Sequence, residues 1–81
     1  MISCDQHDYI EIACMYRYPL RISLNSKLII DCTAIDTQQN EHREECIKVS
    51  VNETDKLIIL NDIEKIEVLI DNPHFHIVSF N

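Results

Sequence analysis

Apolar residues along this chain change their spacing at Pro19. Before it, Tyr9, Ile10, Ala13 and Cys14 recur at the three- and four-residue intervals that gather side chains on one side of a helix. After it, alternation takes over. Leu20, Ile22 and Leu24 are separated by Arg21 and Ser23, and Leu28, Ile30, Cys32 and Ala34 continue the pattern. Then come Ile47, Val49 and Val51, then Leu57 and Ile59, then Ile66, Val68 and Ile70, and finally Phe75 and Ile77. The spacing predicts one helix from about Asp5 to Tyr18, followed by five or six short antiparallel strands, an α+β chain that is mainly β. The second strand is expected to bend near Thr33-Ala34. The wholly polar stretch Asp36–Glu44 reads as the longest loop. A small barrel or a sandwich fits this pattern, and closing the sheet would hide its edges.

The ends of the helix have their own signals. Ser3 followed by Gln6 has capping-box spacing. Asp5 and Asp8 suit the positive end of the helix dipole and Arg17 the negative end. Pro19 should stop the helix, because the residue before a proline is pushed away from helical angles. Asp8 and Glu11 project opposite the apolar side, and no base precedes Arg17, so the exposed helix face is purely acidic.

The chain has no glycine. Asn and Asp are therefore expected at positive-φ turn positions, with Asn25-Ser26, Asn52-Glu53, Asn61-Asp62 and Asn72-Pro73 as the turns. Without glycine the chain also cannot build a phosphate-cradling loop of the dinucleotide or Walker type.

Length and charge narrow the function. Eighty-one residues make one domain, 1–81, near the lower size limit for a self-sustaining core, with about 5–18 helical and about 19–80 β. Fourteen acids against seven bases give a net charge of -7. Phosphate backbones and anionic lipid repel such a chain, whereas a cationic protein surface attracts it. Neither nucleic acid nor membrane is expected as a direct partner. The opening Met1–Asp5 has no basic or apolar signal region, so the expected location is the cytoplasm, with the chain monomeric when free.

Candidate chemistry is sparse. Cys4, Cys14, Cys32 and Cys46 form no C-x-x-C pair and are expected to be free, mostly buried thiols, with a Cys4–Cys14 disulfide as the alternative. His74-Phe75-His76 would set two imidazoles on one side of a strand, half of a metal site, with no third ligand fixed by local spacing. An ordinary exposed face is the simpler reading. No spacing joins a nucleophile to a base. An enzyme is not expected, and neither is a cofactor or metal.

The opening segment carries a resemblance. Ile2-Ser3-Cys4-Asp5, then Asp8, then Ile10-Glu11-Ile12-Ala13-Cys14 is similar to the start of the Rof (Rho-off) family, small bacterial inhibitors of the transcription terminator Rho. Beyond Pro19 the similarity lies in length and strand pattern. The resemblance implies an N-terminal helix packed on a small Sm-like antiparallel β-barrel of five to six strands. It also implies a protein that binds the N-terminal RNA-binding domain of Rho and blocks RNA at its primary site. Carried onto matching positions, Asp8 and Glu11 would be the principal contacts, with His7 and Asp5 beside them. Asn40 and Gln39, in the polar stretch, would reach the same partner. His7 stands where some relatives have an aromatic residue, and Gln38-Gln39 where some have bases. The alternatives are a small Sm-like RNA-binding protein and an acidic adaptor for another cationic protein.

Overall fold

In a computed structural model, residues 4–80 are described; the expected Ser3 cap lies outside them. Helix α1 spans Cys4–Met15 and buries Ile10, Ala13 and Cys14, the side predicted from their spacing. It ends sooner than Tyr18. Tyr18 N–H donates to the Ala13 carbonyl and Arg17 N–H to the Cys14 carbonyl, while Arg17 takes the left-handed conformation at φ 54°. These paired bonds form a Schellman cap, so the turn is closed before Pro19 can act. Pro19 instead opens the first strand.

Strands β1 (Pro19–Leu24), β2 (Ile29–Gln39), β3 (Glu45–Val51), β4 (Thr54–Ile59), β5 (Ile63–Val68) and β6 (Ile77–Ser79) form one antiparallel sheet in the order β4-β3-β2-β1-β5-β6. A 3-10 turn at Leu60–Asp62 links β4 to β5. The α+β, mainly β class is as expected, but the sheet is open rather than a closed barrel, with β4 and β6 at its two ends. Strand β2 pairs with β1 through its first half and with β3 through its second, and the register shifts between Ala34 and Asp36. That bulge at Ile35 is the bend expected near Thr33-Ala34, displaced by one residue.

The core gathers Ile10 of α1 with Leu20, Ile22, Ile47, Val49, Ile63 and Ile66, all almost fully buried. Three expectations need correction. Ile58, not Leu57 or Ile59, is the buried residue of β4, because the two-residue turn Asn52-Glu53 sets Ile58 opposite Ile47. Val78, not Ile77, faces inward in β6, because it pairs with Ile66; His74–His76 lie before that strand rather than along it. Asp36–Gln39 belong to β2, leaving only a tight turn before Glu45. Polar side chains on both faces disguised this segment as a loop, since its strand identity comes from pairing with Cys46–Lys48.

The positive-φ positions also differ. They are Arg17, Lys27, Arg43, Asn52 and Glu53, so only Asn52 fulfils the Asn/Asp expectation. Loop length decides which residue falls in the left-handed slot, and Lys27 and Arg43 each end a turn whose carbonyl acceptor is Leu24 or Asn40. The asparagines instead use their amides. Asn25 Nδ2 donates to the Asn61 carbonyl, and Asn72 Oδ1 accepts from His74 and Phe75 N–H. Among the described residues, no helix is long and apolar enough to cross a membrane.

Candidate protein interface

Helix α1 bridges two distant parts of the sheet. Near its start, Gln6 Nε2 donates to the Ser79 carbonyl of β6 at 2.7 Å, and Tyr9 packs on Phe75 with ring centroids 5.0 Å apart. Near its end, Glu11, Cys14 and Met15 border β2 at Ile35, Asp36 and Thr37. The inner side of the helix is thereby fixed by packing, which leaves Asp5, Asp8 and Glu11 exposed on the outer side.

The sequence-predicted residues fall into separate groups. His7 is half-buried between two carboxylates, with Nδ1 3.3 Å from Glu11 Oε1 and Nε2 3.5 Å from Glu45 Oε2. With Gln38, Gln39 and Glu45 it lines a shallow hollow of about 170 Å³ against Thr37, Cys46 and Leu60. His7 and Gln39 are thus brought together. Glu11 lines a second, larger hollow of about 420 Å³ with Asp36 and Arg17. Asp5 and Asp8 line neither hollow and stand open to solvent.

Asn40 is placed differently. Its Oδ1 accepts from His42 N–H at 2.9 Å and Glu44 N–H at 3.0 Å, and its Nδ2 donates to Glu44 Oε1 at 3.1 Å. The side chain holds the β2–β3 turn together, so this asparagine shapes the hairpin tip beside Gln39. Two carboxylates that the sequence reading did not assign to the site, Glu45 and Asp36, add to the acidic surface. Nothing in local spacing joins them to His7 or Glu11, since the pairing of β2 with β3 creates the juxtaposition.

None of the ion pairs among the described residues joins a Lys or Arg to Asp5, Asp8, Glu11, Asp36 or Glu45. The negative field of this region also reaches the buried Cys14 thiol. Burial pushes its pKa up to about 11, with Asp36 and Glu11 adding to the rise and Arg17 opposing it. Burial raises Cys32 to about 11 as well, and raises Cys46; Cys4 alone of the four thiols is exposed. The tyrosines divide between two places. Tyr9 lies on Phe75, whereas Tyr16 stacks with His74 at 5.1 Å and Tyr18 at 5.6 Å. His74 is therefore part of an aromatic contact, and among the described residues no three His, Cys, Asp or Glu side chains are grouped to hold a metal ion.

Comparison with known proteins places this arrangement. No curated protein matches the chain significantly in sequence. Among solved structures, YaeO bound to magnesium from Vibrio cholerae O395 superposes with a TM-score of 0.88 at 33% identity, over 94% of this chain and 99% of that one. The model of the family described as modulator of Rho-dependent transcription termination (ROF) matches residues 1–80. With sequence and fold in agreement over nearly the whole length, this chain belongs to the family of modulators of Rho-dependent transcription termination.

Proposed function

We propose that the protein inhibits Rho-dependent termination by binding the N-terminal RNA-binding domain of Rho and keeping RNA from its primary site. The observation that carries this reading is the outer face of α1, where Asp5, Asp8 and Glu11 are exposed and no Lys or Arg pairs with them among the described residues. A site that binds RNA is cationic, and carboxylates set on a rigid helix compete for the same positive groups. His7 and Glu45 beside Gln39 extend the surface onto the β2–β3 hairpin. The activity is one of occupancy, without catalysis or a cofactor, and a protein acting on Rho works in the cytoplasm.

Calorimetry with intact Rho, and with Rho lacking its N-terminal domain, tests the assignment. Saturable binding to the intact protein that disappears with the domain supports it. Equal binding to both forms would place the contact elsewhere on Rho.

A further inference from the structure

The seat of α1 is set by a loop as well as by the core. At 12 residues the helix is of a length that is only marginal in isolation, so its pose comes from what packs against it. Its buried side offers Ile10, Ala13 and Cys14, two of them small, a smooth stripe that restrains rotation about the helix axis only weakly. Gln6 ties the first turn to the Ser79 carbonyl, and the Arg17 guanidinium ties the cap to the Ile35 carbonyl. Between these ends stand two tyrosines. Tyr16 N–H donates to the Ile12 carbonyl, so Tyr16 continues the helical path past Met15. Tyr9 and Tyr16 are therefore about two turns apart and share one flank of the helix.

Both rings rest on the segment that joins β5 to β6, Phe75 under Tyr9 at 5.0 Å and His74 under Tyr16 at 5.1 Å. Residues 69–76 form neither strand nor helix, and one half-buried side chain folds them. Asn72 Oδ1 accepts from His74 N–H at 2.8 Å and Phe75 N–H at 3.0 Å. Its Nδ2 donates to the Phe75 carbonyl at 2.9 Å and the Ile70 carbonyl at 3.2 Å. Both acceptor sites and both hydrogens of the amide are thereby used. The segment is also anchored at its ends, where Val68 N–H donates to the His76 carbonyl and Leu69 N–H to the Pro19 carbonyl.

We infer that Asn72 is a positioning residue for the interface helix. It folds 69–76 into a clamp of two rings, His74 and Phe75, that fixes the rotation of α1 and hence the direction of Asp5, Asp8 and Glu11. The inference rests on the Rho reading only for the use made of that direction. Surface side chains lie about 5–6 Å from a helix axis, so a turn of about 20° carries a carboxylate roughly 2 Å, farther than a hydrogen bond tolerates. Ring pairs suit the task because they favour particular offsets and tilts, which a rotating helix would disturb.

Amide hydrogen exchange and Rho calorimetry on the same variants test the clamp. Asn72→Ala should speed exchange of the α1 amides about tenfold relative to those of β1 and β2, because local opening is separable from global unfolding. Asn72→Asp keeps the two accepted bonds and should exchange at a rate between wild type and Asn72→Ala. His74→Ala alters an exposed side chain and spares the loop bonds, so it folds even where Asn72→Ala does not; it should loosen Ala13 and Cys14 more than Ile10. Rho affinity should fall about tenfold in Asn72→Ala, as expected of a helix correctly seated about a tenth of the time. Ile66→Val, a core change in β5 away from the clamp, should lower the melting temperature yet leave Rho affinity and the helix-to-sheet exchange ratio within about twofold. Exchange that rises equally in helix and sheet, or unchanged Rho affinity with a loosened helix, would overturn the positioning role. The expected exchange pattern in a chain that does not bind Rho would support the clamp and count against the Rho reading alone.

Discussion

On the outer face of the sheet, Asp31 accepts from Arg21 Nε at 2.9 Å and Nη2 at 3.1 Å, Lys48 stands 3.6 Å from Asp55, and Lys27 at the adjoining turn reaches Glu64 at 3.3 Å. On the outer face of α1, Asp5 and Asp8 have no Lys or Arg partner among the described residues, and Glu11 has only the His7 imidazole. Both regions are rich in acids, yet their carboxylates have different tasks. Cross-strand pairs on the sheet satisfy one another within the molecule. The helix holds its charge outward with no Lys or Arg to pair it among the described residues. Three acids of the sheet, Asp31, Asp55 and Glu64, are matched by Arg21, Lys48 and Lys27, whereas none of the three on the outer face of α1 has a Lys or Arg partner among the described residues.

The sharpest way to break this contrast is to reverse charge in each region separately. Asp8→Lys with Glu11→Lys should reduce affinity for Rho more than 100-fold, as two hydrogen-bonded charge contacts at about 2–5 kcal/mol each imply. Its melting temperature should stay near that of the wild type, because exposed substitutions usually change stability by about 0.5 kcal/mol or less. Asp55→Lys with Glu64→Lys should behave in the opposite sense. It removes two exposed ion pairs, each contributing at most about 1 kcal/mol, so melting falls by several degrees while Rho affinity changes less than about twofold. Calorimetry and thermal denaturation of the wild type and the two doubles check both halves. Equal loss of binding in the two doubles would reduce the helix face to bulk charge.

A smaller effect comes from the truncation Glu11→Ala. About 30-fold weaker binding is expected from loss of one partner in a charged interface pair. The His7 imidazole then faces only Glu45, and the helix keeps its buried Ile10, Ala13 and Cys14, so the fold should be unaffected.

Those contrasts depend on features of unequal visibility in the sequence. The helix face was legible because Ile10, Ala13 and Cys14 repeat at helical spacing and Glu11 lies across from them. The central strand β1 was equally plain, since Leu20 and Ile22 alternate with Arg21. In β4 and β6 consecutive apolar residues, Leu57-Ile58-Ile59 and Ile77-Val78, leave the inward set undetermined until pairing with β3 and β5 fixes it. Asp36–Gln39 carry no apolar signal at all, so the end of β2 that borders the candidate interface looked like a loop. For the same reason Glu45 and Asp36 could not be placed beside His7 and Glu11 in advance. The proximity belongs to the sheet and to the bulge at Ile35, not to any local spacing.

The paired region also makes a prediction in acid. Its hydrogen bonds from Arg21 hold the Asp31 carboxyl below the usual aspartate range. A depressed folded-state pKa contributes stability above the unfolded value, about 3.9, and loses it as pH falls through the folded value. The wild type should therefore melt higher than Asp31→Asn at pH 6, and the gap should shrink as pH drops from about 4 to 2. A gap independent of pH would show that the pair contributes nothing through charge.

The smallest expected effect is on the hairpin joining β3 to β4, remote from both regions. Glu53 sits at φ 68° beside Asn52 at φ 51°, the geometry for which Asn-Gly is the favoured turn. Glu53→Gly should raise the melting temperature by a few degrees, relieving a left-handed cost of roughly 1–2 kcal/mol offset in part by glycine's greater chain entropy. Rho affinity should not change.

Competition for RNA tests the central claim most directly. Labelled single-stranded pyrimidine RNA is bound at the primary site of intact Rho, and unlabelled protein is added while the anisotropy is followed. The account predicts complete displacement by the wild type, no displacement by Asp8→Lys with Glu11→Lys, and wild-type displacement by Asp55→Lys with Glu64→Lys. RNA that remains fully bound at saturating wild-type protein would contradict it.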